Sequence, residues 1–269
     1  MKKLSARRRH PLAALVVLLF ALAATGGLYA VLAPAPKAQA DASAQSLAIE
    51  QGKKLYSVGC ASCHGASGQG TSDGPSLVGV GAAAVDFQVG TGRMPAQQPG
   101  AQVPKKKVIY TQAEIDQLAA YIASLGPGPA IPSKDQYDPA GADAAKGGEL
   151  FRTNCSQCHN FIGKGGALTD GKFAPSLKGV DPKHVYEAMQ TGPQNMPSFP
   201  DGIMPPDTKA DIIAYLDEVN TSDASNPGGF TLGSLGPVSE GLFGWVFGLG
   251  TLIAIAVWMA ARTTKAKKS

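Results

Sequence analysis

The sequence predicts an all-α chain in which one small helical domain occurs twice, in tandem, between an N-terminal and a C-terminal membrane-spanning helix. Three observations predict it. A five-residue pattern, Cys60-Ala61-Ser62-Cys63-His64, returns as Cys155-Ser156-Gln157-Cys158-His159, and its flanks return with it. Two stretches near the ends, 12–33 and 242–261, carry no charged residue. Between them, apolar residues recur at helical spacing behind recognisable caps.

Residues 1–11 form a basic start with Lys2, Lys3, Arg7, Arg8 and Arg9. The 22 uncharged residues from Leu12 to Ala33 suit a bilayer, which needs about 20, and exceed the roughly 7–15 of a signal-peptide core. Ala38-Gln39-Ala40 has the small residues of a cleavage site, so a signal peptide ending at residue 40 is the alternative to a retained helix. In both cases the basic start stays in the cytoplasm and the chain beyond the apolar stretch is exported. Ala33 to Ser46 is rich in Pro and Ala and reads as a tether.

The first domain, 46–126, opens with a helix-like run from Leu47 to Val58 that leads into Cys60. The loop GASGQGTSDGP follows His64, then Pro75-Ser76-Leu77-Val78-Gly79-Val80, a short helical segment reaching Gly92, and Arg93-Met94-Pro95. Lys105-Lys106-Lys107 is the one basic run in the middle of the chain and reads as a solvated loop. Thr111-Gln112-Ala113-Glu114 has capping-box spacing. It starts a helix whose Ile115, Leu118, Ala119, Ile122 and Leu125 form one apolar stripe, closed by Gly126-Pro127-Gly128-Pro129.

After a Pro-, Gly- and Asp-rich linker, 127–142, the plan repeats in a second domain, 143–222. The cysteines and histidine return 95 positions on, and Pro175-Ser176-Leu177-Lys178-Gly179-Val180 and Thr191-Gly192 return 100 positions on. Met196-Pro197 answers Met94-Pro95 at 102. A closing helix, Asp207 to Val219, turns Ile212, Ile213, Tyr215, Leu216 and Val219 mostly toward a core. A Ser/Gly/Pro tether leads to the second span, 242–261, and the basic tail 262–269 carries Arg262, Lys265, Lys267 and Lys268.

Charge distribution sharpens this layout. All 20 acidic residues fall between Asp41 and Glu240, whereas ten of the 24 Lys and Arg lie outside that span, so the middle is net negative although the chain is +4. The basic ends are cytoplasmic flags flanking membrane lipid, and a nucleic-acid partner is excluded.

On a helical turn, positions i, i+3 and i+4 share a face, so each Cys-x-x-Cys-His presents two thiols and an imidazole to one object. A haem fits: its vinyl groups take the thiols as thioethers, and the histidine lies under the iron. Zinc between the two Cys pairs would need them about 15–20 residues apart; 91 residues separate Cys63 from Cys155, and both histidines would go unexplained. A thioredoxin-type dithiol would need a βαβ context, which is lacking. The predicted cofactors are two covalently bound haem c groups, on Cys60, Cys63 and His64 and on Cys155, Cys158 and His159.

Each iron needs a sixth ligand, and the thioethers of Met94 and Met196, at matching places before a Pro, are the candidates. Met204 is the competitor of Met196. Met189 has no repeat partner and is placed in core or surface, and His184, in a Lys-His-Val-Tyr context, is read as an exposed histidine. The Pro75 and Pro175 carbonyls are plausible acceptors for the second N–H of each ligating histidine. Domains this small need a staple, which the haem supplies.

The CASCHG and CSQCHN sites, the PSL-x-GV stretches, the TGRMP and TGPQNMP loops and the closing helices resemble two class I cytochrome c domains in tandem. The wider layout resembles the dihaem cytochrome c subunit of the actinobacterial cytochrome bc complex. That resemblance implies a plasma-membrane protein with two spans and its haem domains on the outer face, and a place in a proton-translocating quinol:cytochrome c oxidoreductase beside cytochrome b. It implies electron transfer from the Rieske iron–sulfur subunit to a haem-copper terminal oxidase, with no substrate chemistry of its own and no catalytic residue.

Two other classes compete. A membrane-tethered dihaem acceptor for an exported dehydrogenase shares most of these features. A dihaem peroxidase needs an iron with an exchangeable position, against which a Met for each iron argues. No nucleophile–base pair, paired carboxylates or phosphate loop suggests further chemistry.

Overall fold

The computed structural model describes residues 11–32, 36–100, 102–221 and 237–266, which divide into two compact units, Met1–Ile49 and Glu50–Ser269. In the first unit, α1 (Pro11–Leu32) is uncharged, and its large side chains, Leu15, Val17, Phe20 and Leu28 among them, are all exposed. The Thr25 hydroxyl, in mid-helix, donates to Ala21 O at 2.7 Å, so it is satisfied within the helix itself, as an apolar surrounding would require.

The expected tether at 33–46 needs correction. Residues 33–35 lie outside the described residues, but α2 runs from Pro36 to Gly59 as one helix. Alanines at 38, 40, 42 and 44 have the best helix propensity of any residue, and a proline is harmless in a first turn, where its missing N–H has no partner to lose. Composition suggested a linker; propensity decided for helix.

In the second unit, α2 continues into α3 (Ala61–His64), α4 (Gly81–Gly90) and α5 (Gln112–Ser124), followed by α6 (Lys134–Tyr137), α7 (Ala144–Asn154), α8 (Ser156–His159), α9 (Pro182–Thr191) and α10 (Pro206–Thr221). Thr111 and Glu114 close both halves of the expected capping box on α5, and Ile115, Leu118, Ala119 and Ile122 are all buried. On α10, Ile212, Ile213 and Leu216 are buried in a core with Phe151, Tyr186 and Met189. Each such side chain contributes about 1.5–3 kcal/mol when fully withdrawn from water.

Both domains share one crossing. Gly52 on α2 lies against the Gln117 backbone of α5, and Gly147 on α7 against the Asp211 backbone of α10, with no room for a Cβ at either place. One helical turn on, aromatic pairs extend each contact: Tyr56 with Tyr121 at 5.1 Å between centroids and Phe151 with Tyr215 at 5.5 Å. One hydroxyl of each pair reaches the loop after the Cys-x-x-Cys-His turn. Tyr56 donates to Gly65 O, and Tyr215 to Phe161 O, both at 2.6 Å.

Two elements were not legible. A two-residue hairpin, β1 (Gly166–Ala167) with β2 (Phe173–Ala174), pairs Gly166 with Ala174. It takes up the five extra residues that separate His159 from Pro175 compared with His64 from Pro75, which is why the repeat offset steps from 95 to 100. The linker also contains α6, whose N-terminus is closed by Ser133 and Gln136 and whose Tyr137 packs on the second core. The domains meet where α4 packs against α9.

The chain closes with α11 (Pro237–Phe243), a π-helical stretch (Gly244–Leu249) and α12 (Gly250–Ala266). From Glu240 to Arg262 this helix is long and apolar enough to cross a membrane, as is Leu12–Leu32. Trp245, Phe247, Leu252 and Trp258 are exposed along it, and Thr251 Oγ1 donates to Phe247 O at 2.5 Å.

Candidate haem-binding sites

The last turn of α2 delivers Cys60, whose N–H still bonds to Tyr56 O at 2.9 Å, and α3 then winds Cys63 and His64 onto the Cys60 carbonyl at 3.2 and 3.0 Å. The second copy repeats this closely: Cys155 N–H to Phe151 O at 2.8 Å, then Cys158 and His159 to Cys155 O at 3.1 and 2.9 Å. Two thiols and one imidazole thus project from a single turn in each domain. The imidazoles are buried, His64 to 8% and His159 to 9% exposure.

Each imidazole is oriented by a carbonyl. His64 Nδ1 lies 2.8 Å from Pro75 O, and His159 Nδ1 lies 3.1 Å from Pro175 O. A carbonyl only accepts, so Nδ1 carries the proton, and Nε2 keeps its lone pair for a metal. A glycine makes room for that carbonyl. Gly70 (φ +87°) and Gly165 (φ +84°) press on the Pro75–Ser76 and Pro175–Ser176 peptides, where a Cβ would collide with backbone atoms and positive φ disfavours any other residue.

Burial, and then the neighbouring thiol, pushes Cys60 and Cys155 up to about 11. Burial also lowers His159 from the ordinary histidine value, more than the Pro175 carbonyl raises it, so its imidazole stands neutral. Two protonated thiols and a neutral imidazole with Nε2 available suit covalent haem attachment and iron ligation.

Met94 and Met196 are both half-buried. The Met94 N–H donates to Gln88 O at 2.9 Å and that of Met196 to Pro193 O at 3.1 Å. Met196 borders the second core, as does Cys155, while Met204 and Met189 lie within it. Met189 is therefore core, and Met204 stays close enough to compete.

His184 differs from the expectation of an exposed residue. It is half-buried at the α4–α9 contact, edge-on to Phe87 at 6.2 Å between centroids, with Nε2 3.7 Å from Asp86 Oδ2. Asp86 and Glu187, at 1% and 0% exposure, meet there. Lys183 Nζ, 2.6 Å from Asp86 Oδ2, supplies a cation, so this group of possible metal ligands is already partly neutralised by the chain itself. Sequence reasoning missed these residues because nothing local marks them: Asp86 is the one charged residue of its helix, and the Lys183, His184 and Glu187 that meet it are about 100 residues away.

Comparison with known proteins agrees with this anatomy. Residues 49–126 match the family model described as cytochrome c, and residues 142–216 match that of the cbb3-type cytochrome c oxidase subunit III. The chain is 47% identical over 264 residues to the cytochrome bc1 complex cytochrome c subunit of Mycobacterium tuberculosis, covering 96% of this chain and 93% of the relative. The subunits of the same name from Mycobacterium leprae (46%, covering 92% and 87%) and Corynebacterium efficiens (44%, covering 97% and 94%) are similar to it in the same way. On this likeness, carried along almost the whole length and through both haem-binding halves, the chain belongs to the family of cytochrome c subunits of cytochrome bc1 complexes, electron-transport proteins of the membrane with two covalently bound haem c groups.

Proposed function

We propose that the chain is the fixed relay between the Rieske iron–sulfur centre of a quinol-oxidising cytochrome bc complex and a haem-copper terminal oxidase. The observation that carries this reading is the pairing of two equivalent Cys-x-x-Cys-His turns, each with its carbonyl-oriented imidazole, within one compact unit of one chain. In the domains 46–126 and 143–222, Cys60, Cys63, Cys155 and Cys158 hold the groups covalently. His64 and His159, through Nε2, and Met94 and Met196, through their thioether sulfurs, would ligate the irons. When bound, haem c supplies reversible one-electron exchange between ferric and ferrous iron.

The chain's own residues set the terms of that exchange. The Pro75 and Pro175 carbonyls fix each imidazole's tautomer and raise its basicity. The thioethers favour the ferrous state, which raises the potential, and close the sixth position against peroxide or oxygen chemistry. Burial of His64 and His159 keeps water from the imidazoles that would hold the irons. The subunit thus carries no substrate chemistry; the complex around it acts as the quinol oxidoreductase.

The basic flanks support a topology with both termini in the cytoplasm and residues of about 41–240 outside. Anchored at its C-terminal end, and through 12–33 at its N-terminal end if that segment is retained, the chain does not diffuse as a soluble carrier does. Tethering replaces encounter by a high effective concentration, so transfer depends weakly on salt, whereas a mobile carrier steered by charge slows as salt rises. The test is to purify the membrane assembly through a tag on this chain and follow oxygen uptake with a reduced quinol and no added cytochrome c. Activity that is lost with either haem supports the relay. Copurification with a dehydrogenase, without quinol-oxidising or oxidase subunits, overturns it in favour of a tethered dehydrogenase acceptor.

A further inference from the structure

The two methionine loops are held in different ways. In the first domain the loop is tied from within: Arg93 Nη1 donates to Thr91 Oγ1 at 2.7 Å while its guanidinium lies over Phe87, 4.8 Å from the centroid, and Lys106 Nζ donates to Pro95 O. The second domain has Pro193 where the first has Arg93, and then two inserted residues, Gln194 and Asn195, before Met196. Gln194 has a left-handed backbone, φ +59°, which a residue with a Cβ keeps only where its surroundings hold it.

Those surroundings belong to the first domain. Gln194 Nε2 donates to Val103 O at 3.1 Å, and the Val103 N–H donates to Gln194 Oε1 at 3.1 Å. One side-chain amide thus satisfies both polar groups of one residue's backbone, as a neighbouring strand would. A second clasp runs the other way: Gln102 Nε2 donates to Phe173 O at 2.6 Å, and the Phe173 N–H donates to Gln102 Oε1 at 3.0 Å. Asn195 Oδ1 accepts from Lys172 Nζ at 3.3 Å, next to that second clasp. Among the described residues, the side-chain ties on the Gln194–Asn195 insertion therefore lead to the first domain or to the hairpin that the first domain grips.

We propose that Gln194 is a positioning residue for the distal ligand of the second haem, and that its clasp on Val103 makes ligation at the second iron depend on docking of the first domain. The inference rests on Met196 as that ligand. One residue, Asn195, and one turn, closed by the Met196 N–H on Pro193 O, connect the clasp to the methionine, so loosening the clasp frees the turn that aims the sulfur.

The test uses the full chain with both haems attached, in detergent. Gln194→Asn keeps a residue that tolerates left-handed backbone but shortens the amide out of reach. Val103→Pro removes the N–H donor from the other domain without touching the second. Both should raise the methionine-off population of the second haem about tenfold, the equivalent of about 1.4 kcal/mol, and leave the first haem unchanged. The readouts are carbon monoxide binding, the methionine-to-ferric-iron charge-transfer band and the potential of each haem, assigned by comparison with Met94→Ala and Met196→Ala. If neither variant moves the second haem while Met196→Ala opens it, the positioning role is overturned and the ligand stands. If Met196→Ala leaves the second iron closed, the ligand assignment fails and the inference falls with it.

Discussion

Lys183 reaches out of the second haem domain to place its ammonium 2.6 Å from the Asp86 carboxylate of the first. Gln112 Nε2 donates to the other oxygen of Asp86 at 3.1 Å. Against the opposing effect of burial, Lys183, Glu187 and Gln112 together hold Asp86 below the ordinary carboxylate value. Removing one partner of such a pair strands the other charge in the interior, at a cost of about 3–5 kcal/mol. Lys183→Met should accordingly lower the thermal midpoint of the haem-loaded chain, whereas Lys183→Met combined with Asp86→Asn should recover most of the loss. A double-mutant cycle followed by calorimetry checks this; additive losses would show that the pair does not couple the domains.

Glu187 gives the same interface a pH dependence. Its carboxyl is fully buried beside Asp86 and His184, and burial, reinforced by the hydrogen bond and the charge of Asp86, pushes it up to about 9. A carboxyl raised on folding contributes stability that is complete below its ordinary value of 4.5 and lost as pH rises through about 9. His184, lowered mainly by burial, acts in the opposite sense, but only below the ordinary histidine value of about 6.5. Lys183, raised by Asp86 against the effect of burial, and Asp86 keep their charges across the interval between. From about pH 6.5 to 9, stability should therefore fall with pH in the native chain. Glu187→Gln, which mimics the protonated acid, should flatten that slope, as read by thermal unfolding at a series of pH values.

Replacing Cys155 and Cys158 by Ala should halve the haem that stays with the chain through acid–acetone extraction. Metal analysis of the unmodified chain should find two irons and no stoichiometric zinc. Unchanged haem retention in the variant would remove the second attachment site.

Met94→Ala and Met196→Ala should each open one iron to carbon monoxide and lower one potential, because a soft ligand that favours ferrous iron is lost. Met204 is the control, since it is buried in the core that Met196 borders. Met204→Ala should cost stability, about 2–5 kcal/mol for a buried methionine cut to alanine, and leave both spectra intact. The reverse pattern would transfer the ligand role to Met204.

A reporter fused near Gly141 should be active only if the reporter works outside the cytoplasm. N-terminal sequencing of the mature chain separately decides between an anchor at 12–33 and cleavage after Ala40.

What the sequence revealed and what it hid divide along the range of the interactions concerned. The Cys-x-x-Cys-His turns, the Thr111–Glu114 box and the stripe from Ile115 to Ile122 follow from neighbours within a turn or two of helix, so their spacing alone expresses them. The prolines that orient His64 and His159 were legible because the repeat brings each back beside its own motif. The Asp86–Lys183 pair and the Gln194–Val103 clasp have no such local grammar. Their partners stand about 90 to 100 residues apart, and Asp86, Lys183 and Gln194 look like ordinary surface polar residues, and Val103 like an ordinary loop residue, until the domains meet. His184 was misjudged for this reason, and α2 because a proline beside an alanine run signals linker to composition and helix to propensity.

The contact between α4 and α9 joins corresponding elements of a duplicated domain, which makes it the one-chain equivalent of the self-complementary face of a twofold dimer. In a true dimer every substitution on that face appears twice, and an acid placed there meets its own image. Here Asp86 corresponds to Tyr186 and Lys183 to Ala83, so acid and base have been assigned to opposite halves without conflict. The seam thus breaks the symmetry of the duplication, and the two halves of the chain are no longer interchangeable across it.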